Sequence, residues 1–495
     1  MRRCGTAGPR SPTRPRPGPI STGASRAARC SARCRAAERL AKVPAPGGAR
    51  LPLRTTLAFA ATQIPLGAMA LAITVHLPRY FASTLGLSLS VVGAAFALVR
   101  LIDIPLDPWM GLAMDRTRSR FGRYRLWTWI GVPLLCGSLL VLLHAPVGVN
   151  QVYLVGLLLV MYLGYSVLLL TSLAWAGSVV TNYDQRSRLF GAFTALGVAG
   201  AVAVLVIPVV SAKLGHSDGE GVRAMIWTVM VATPVCALLM TWLTPDAPAR
   251  PAGHAHFGIG DYWALITRGN VLRVLGADFC ATLGPSWMAA IYLFYFKDSR
   301  GFSLTQSNLL LMIYIASGFI GAPFTAWLAN RISKHRALMV NTTVYSLSLF
   351  SLELLPKGDF AAALPTMFIC GAMGAGITTM VRALTGDVAD EIRLENGREW
   401  MGLMYALTNA TTKLAGAGSI FLTFNIVLAN VGYDPAPGAV NTPHAIHGLV
   451  LAFLLGPIVF LLLAGVCFLG YRLSPERHAE IRRELDARDA AQDAA

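Results

Sequence analysis

Residues 126–183 form a run of 58 without one Asp, Glu, Lys or Arg. About 20 apolar helical residues cross a bilayer core. The run therefore holds two membrane helices, with His144-Ala-Pro-Val-Gly-Val-Asn150 as the turn between them. Soluble domains are about 25% charged, whereas this chain of 495 residues is 14% charged and 55% hydrophobic. A single water-soluble domain and general disorder are both excluded at that composition.

Further charge-poor runs cover 55–78, 80–99 and the few residues after it, 189–212, 224–245, 274–296, 301–330, 337–352, 360–381, 400–424 and 443–471. The count is twelve spans, six on each side of the polar stretch 244–270. The expected boundaries are 51–243 for a first six-helix bundle, 244–270 for a central loop, 271–471 for a second bundle and 472–495 for a tail. Two halves of six spans suggest an internal repeat. Asp115-Arg-Thr-Arg after the second span and Asn330-Arg-Ile-Ser after the eighth fall at equivalent places. The expected fold is an all-α membrane protein, twelve transmembrane helices in two six-helix bundles of the major facilitator type.

Orientation follows from the positive-inside bias of short loops. Arg116, Arg118, Arg120, Arg123, Arg125, Arg186, Arg188, Arg250, Arg268, Arg273, Arg331, Lys334, Arg336, Arg393 and Arg398 lie on one side. Lys213, Arg223, Lys297, Arg300 and Lys357 lie on the other, with Arg79 at its edge. The first side is expected to be cytoplasmic, both termini with it, in a multi-pass protein of the plasma membrane. The tail, with Glu476, Arg477, Glu480, Arg482, Arg483 and Glu484, reads as a short solvated helix.

Residues 1–50 contain 11 Arg and one Lys against Glu38, and so carry most of the net charge of +17. That concentration argues against a nucleic-acid partner. The segment lacks the apolar region of a secretory signal, and its prolines disfavour the amphipathic helix of a transit peptide. It is expected to be a disordered basic tail or sequence upstream of the true start. The eight cysteines show no metal-binding spacing, and no cofactor is expected.

Charges inside membrane spans are costly and default to function. The second span contains Arg100, Asp103 and Asp107, whose spacings of 3 and 4 put them on one helical face. Pro105 and Pro108 free backbone carbonyls nearby. Two carboxylates with spare carbonyls make a hard-oxygen site for a small cation. The pair is equally a proton site, because acids one turn apart resist double ionisation. Lys413, alone in mid-span eleven, is the natural counter-charge. A static ion-pair knot between the two spans is the alternative. Asp278 in span seven and Arg382 at the end of span ten either pair across the second bundle or contact a solute. Spans one, four and seven add Gln63, Tyr162, Tyr165, Thr171, Ser172, Trp175, Trp287 and Tyr292, a mixture of aromatic and polar groups suited to a sugar-like or amphiphilic ligand. Trp175 is the best aromatic platform among them.

The stretch Arg100-Leu-Ile-Asp103-Ile-Pro-Leu-Asp107-Pro-Trp-Met-Gly111-Leu-Ala-Met-Asp115-Arg-Thr-Arg-Ser-Arg120-Phe-Gly-Arg123 closely resembles the signature of the glycoside–pentoside–hexuronide:cation symporters, to which the bacterial melibiose permease belongs. Asp184-Gln-Arg-Ser-Arg188 and Gly397-Arg-Glu399 add moderate matches, and the resemblance covers about 54–471. It implies that Asp103 and Asp107 bind the coupling cation, Na⁺ or H⁺, with help from Lys413. It implies a cytoplasmic gate at Asp115, Arg116, Arg120 and Arg123. The permease's galactoside-binding acids fall at Gly67 and Thr171 by ungapped alignment, and its span-five arginine near Thr194. Cation coupling thus looks retained while galactoside recognition does not, which leaves Thr171, Trp175, Gly67, Arg100, Asp278 and Arg382 as candidate substrate contacts.

The resulting expectation is a monomeric secondary symporter of a sugar- or glycoside-like solute, with the lipid bilayer and a small organic substrate as its partners. A non-sugar amphiphile such as a lysolipid is the alternative cargo. A membrane prenyltransferase would use Asp103-x3-Asp107 and Asp387-x2-Asp390, but the spacings are wrong. A non-transporting sensor on the same fold stays open because fold does not fix function.

Overall fold

The computed structural model describes residues 52–117, 119, 121–179, 183–244, 259–396, 401–436, 439–471, 473 and 475–493. Among these residues every regular element is helical. Twelve helices are long and apolar enough to cross a membrane. They are α1 (Leu53–Thr84), α2 (Leu89–Arg116), α3 (Arg123–Leu143), α4 (Gln151–Val179), α5 (Tyr183–Lys213) and α6 (Asp218–Leu243), then α7 (Gly269–Ser299), α8 (Leu304–Ile332), α9 (Lys334–Leu354), α10 (Phe360–Asn396), α11 (Leu403–Val431) and α12 (Pro443–Val466). A short helix, Ile259–Ile266, precedes α7, and a further helix, Pro475–Asp493, follows α12.

Helices α1–α6 pack into one bundle and α7–α12 into another. The bundles meet along α2 against α11, α5 against α8, and α1 against α7. Helix approach inside the membrane depends on small residues. A Cβ on Gly67 of α1 would lie 2.0 Å from the Gly197 carbonyl oxygen of α5, and one on Gly321 of α8 would lie 2.0 Å from that of Ala372 of α10.

All six even-numbered helices begin on a capping side chain. Ser88 accepts from Val91 N, Asn150 from Tyr153 N, Ser217 from Glu220 N, Ser303 from Gln306 N, Asp359 from Ala362 N and Thr442 from Ala445 N. Such caps contribute about 1 kcal/mol each and satisfy amides that lipid cannot.

The second span therefore begins later than the charge pattern suggests. The sequence reading opens it at Tyr80, but Tyr80–Thr84 completes α1 as a π-helical turn, and Leu89 follows a tight turn at Gly86. The same turn recurs 215 residues later. Tyr80, Phe81, Gly86, Ser88 and Leu89 match Tyr295, Phe296, Gly301, Ser303 and Leu304 in type and spacing. Gly86 and Gly301 share a φ of 73°, and Gly148 N donates to Leu85 O as Gly358 N does to Arg300 O. The left-handed φ explains the glycine at both places.

The tail differs from the solvated helix expected of it. Leu473, Ile481 and Leu485 form an apolar patch with Leu394 of α10 and Tyr471. His478 and Arg482 reach Asp390 at 3.2 and 3.4 Å, and His478 also reaches Asp387. Its charges are distributed around that stripe, so the helix docks on α10.

Candidate functional site

The second-span charges face the opposite bundle. Asp103, 1% exposed, accepts from Lys413 Nζ of α11 at 2.7 Å and from Ser166 Oγ of α4 at 2.9 Å. Lys413 also reaches Asp107 at 2.5 Å. Arg100 Nη1 stands 3.9 Å from Asp103, and its guanidinium lies 4.4 Å over the Tyr162 ring of α4. One α-helical face thus collects two acids and a base, and α11 supplies the second base.

The cluster is neutral as a set, which is how a membrane interior accommodates it. It is not saturated. Asp107 Oδ1 is buried and accepts no hydrogen bond. Pro105 and Pro108 withdraw the amide donors that the Leu101 and Ile104 carbonyls would otherwise use. An oxygen lacking a donor beside a second carboxylate fits an incoming small cation or a proton. A cation there competes with Lys413 for the same oxygens.

The remaining site candidates fall in different surroundings. Asp278 of α7 accepts from Thr412 Oγ1 at 3.0 Å, and Thr411 Oγ1 stands 2.6 Å from the same carboxylate. Arg382 is exposed on α10, and the two do not form an ion pair within 4 Å. Of the two roles left open for Asp278 and Arg382, direct pairing is absent from this conformation. Thr171 is fully buried with its hydroxyl 3.7 Å from Met114 Sδ of α2. Trp175 is also fully buried, edge-on to Phe59 at 5.6 Å and stacked on Tyr124 at 6.2 Å. Its ring is packed in the first bundle and presents no platform here. Gly67 faces the α5 backbone at a distance that admits no side chain, so the structure gives its glycine a helix-packing role. Trp287 and Tyr292 likewise spend their polar atoms on the Ala452 and Ser307 carbonyls.

Of the gate candidates, Arg123 Nε donates to Met114 O at 2.8 Å, tying the start of α3 to the end of α2. Asp115 and Arg116 are the last turn of α2. Arg120 lies outside the described residues, as do Gly397-Arg-Glu399. Hydrogen bonds between the bundles occur at Lys413 and at the capped end, where Ser83 Oγ donates to Pro435 O at 2.9 Å and Asn425 Nδ2 to Ser90 O at 2.9 Å.

Sequence reasoning missed Ser166, Thr411 and Thr412. The threonines were detectable as a polar pair directly before Lys413 in an apolar span. Ser166 carries no such signal, because lone serines are common in membrane helices.

The sequence model of a family described as MFS/sugar transport protein matches residues 58–475. The chain is 24% identical to a glucuronide carrier protein homolog of Escherichia coli (strain K12) over 428 residues, 83% of this chain and 91% of that protein. It is 20% identical to the isoprimeverose transporter of Lactiplantibacillus pentosus over 447 residues, 85% of this chain and 89% of the other. Among solved structures, the nucleoside transporter NupG aligns with a TM-score of 0.65 at 11% identity, covering 84% of this chain and 99% of that one. A bacterial homolog of the human lysosomal transporter Spinster, inward-facing and unoccupied, aligns with a TM-score of 0.59 at 14% identity over 86% and 98%. These structural likenesses establish the fold.

Proposed function

The chain belongs to the MFS/sugar transport protein family, in its glycoside–pentoside–hexuronide:cation symporter branch, and we propose that it carries a sugar- or glycoside-like solute across the membrane together with a cation bound at Asp103 and Asp107. It is a multi-pass membrane transporter rather than an enzyme. The observation that carries the site assignment is Lys413 held between two acids of which one oxygen, Asp107 Oδ1, has no donor.

The physical sequence is an exchange of counter-charges. Without the cation, Lys413 and Arg100 together balance the two aspartates, and Lys413 ties α11 to α2 across the bundle seam. A cation at the carboxylates takes over that neutralisation and releases Lys413. The seam then depends on its weaker contacts, and the bundles rock about the midplane site. Ser166 keeps Asp103 oriented through the exchange. The bundle contacts at the capped end, Ser83 with Pro435 and Ser90 with Asn425, favour a state closed on that side. The Lys/Arg bias of the loops supports an external position for that end and a cytoplasmic one for the termini.

The test is thermal stabilisation by the cation in the purified protein, because a ligand that binds the folded state raises its stability by mass action. Sodium is expected to raise the melting temperature of the wild type over matched potassium or choline, and to leave Asp103→Asn and Asp107→Asn unmoved. Protons take sodium's place if the same contrast appears only on lowering pH. A response equal in all three proteins, or in none under either ion, overturns the assignment.

A further inference from the structure

Three consecutive residues of α11 hold acids on two other helices. Lys413 reaches Asp103 and Asp107 of α2 at 2.7 and 2.5 Å. Thr412 donates to Asp278 of α7 at 3.0 Å, and Thr411 Oγ1 stands 2.6 Å from the same carboxylate, its one hydrogen shared with the Thr408 carbonyl at 2.8 Å. Neighbouring helical residues are about 100° apart, so one turn of α11 addresses both sides. Helix α2 lies in the first bundle, whereas α7 and α11 belong to the second. Both hydroxyls meet the same oxygen, Oδ2, and Oδ1 of Asp278 accepts no hydrogen bond from the described residues while not being shut off in the interior.

We infer that Thr411 and Thr412 are positioning residues that transmit cation occupancy at Asp103 and Asp107 to Asp278, whose Oδ1 accepts a hydroxyl hydrogen of a polyhydroxylated solute. This rests on the reading of Asp103, Asp107 and Lys413 as the cation site.

The argument is one of constraint. When a cation displaces Lys413, the tie between α11 and α2 is cut, and the response of α11 depends on its remaining ties. One hydrogen bond to Asp278 would let the helix pivot about it. Two hydroxyls from adjacent residues on one oxygen fix its rotation against α7. Hydrogen bonds to a carboxylate are also the stronger kind. Beyond this turn, α11 passes into a π-helical segment, Leu422–Leu428, where the regular hydrogen-bond ladder changes step. The turn carrying Thr411, Thr412 and Lys413 is therefore set between a rigid clamp on α7 and an irregular segment that can absorb a rotation. Displacement of Lys413 then reorients the Asp278 carboxylate. Linkage makes the effect reciprocal, so a solute hydroxyl on Asp278 alters cation affinity by the same factor.

The test needs no identified solute. The full chain is titrated with sodium, and in parallel with protons, and the midpoint of thermal stabilisation is recorded. Asp278→Asn is expected to shift that midpoint by about fivefold or more, the low end of couplings between sites. In a Thr411→Val/Thr412→Val background the same substitution is expected to shift it by less than about twofold, and Thr411→Ser/Thr412→Ser is expected to restore the full shift. No shift in the wild-type background overturns the inference. An equal shift in the valine background also overturns it, because a through-space charge effect survives loss of the hydroxyls. If the double valine variant does not fold, Thr412→Val alone, at an exposed position, serves with Thr412→Ser as its rescue. If neither the wild type nor Asp103→Asn responds to either cation, the cation site itself is refuted and this inference falls with it.

Discussion

Helices α2 and α8 occupy corresponding places in the two bundles, and they match in register as well as position. Ser88 and Ser303 cap them, Pro108 and Pro323 interrupt them, and Asp115-Arg116 and Asn330-Arg331 end them, every pair 215 residues apart. At that spacing Arg100, Asp103 and Asp107 correspond to Ile315, Gly318 and Ala322. The backbone scaffold is thus shared and the ionic chemistry sits on one copy. The other copy uses this stretch for close packing, with a Cβ on Gly318 falling 3.1 Å from Ala375 Cβ and the neighbouring Gly321 set against the Ala372 carbonyl. The difference teaches that charge and close approach exclude one another on a given face. Helix α2 keeps room for two carboxylates and Lys413, and α8 gives that room to α10.

The largest expected effect follows from removing the counter-charge on the α2 side. Lys413→Leu leaves Asp103 and Asp107 facing each other and Arg100 alone as their positive neighbour. Breaking one partner out of a buried ionic set costs about 3–5 kcal/mol. The melting temperature is expected to fall steeply in choline and to recover much of the loss in the coupling cation, which then substitutes for the missing ammonium. A fall with no recovery in any cation makes the cluster a static knot. The corresponding change on α8, Ile315→Leu, is a volume-conserving apolar swap, with an expected cost below about 1.5 kcal/mol and no cation dependence.

A middle-sized effect tests the packing half of the comparison. Gly321→Ala must separate α8 from α10, since its Cβ would sit 2.0 Å from a carbonyl oxygen. A loss of about 1–3 kcal/mol is expected, as for other overpacked positions. Gly111→Ala on α2 has nothing within 4 Å of the new Cβ. It is expected to be neutral or to gain up to about 1 kcal/mol through helix propensity. Melting temperatures of the two variants check this directly, and equal losses would mean that α2 and α8 are packed alike.

Much of this was legible in the sequence, for identifiable reasons. Membrane spans are long and almost free of charge, so twelve of them stand out, and any ionisable residue inside one is conspicuous. Asp103, Asp107 and Lys413 are therefore found together even though 310 residues separate the first from the last. What was illegible depends on partners rather than on residue type. Gly67 is a neutral letter in the sequence, and only the α5 backbone opposite reveals why no side chain fits. Trp175 lies in an apolar run whether it faces a solute or Phe59 and Tyr124. The end of α1 is hidden because Arg79 lies inside the helix and splits the apolar run, while no charge marks the true end. Its signal was the second copy of the Gly86-x-Ser88 turn, which becomes visible only when the halves are compared at the right offset. The docked tail is hidden by its own composition, because Ile481 and Leu485 are few among many charges.

The smallest expected effect concerns the caps that open α3 and α9. Gly122 holds φ 96° and ψ 151° before α3, and Ser333 holds φ 88° and ψ 155° before α9. That region is essentially reserved for glycine, and a side chain held there costs about 1–3 kcal/mol. The Ser333 hydroxyl does not recover the cost by capping α9, since it lies against the His335 ring at 3.3 Å. Ser333→Gly is therefore expected to stabilise the protein by about 1 kcal/mol, and Gly122→Ser to destabilise it by a similar amount. The two changes make each bundle's cap resemble the other's. If Ser333→Gly instead lowers the melting temperature, the hydroxyl makes a contact that outweighs the strain, and the two caps are alike in backbone alone.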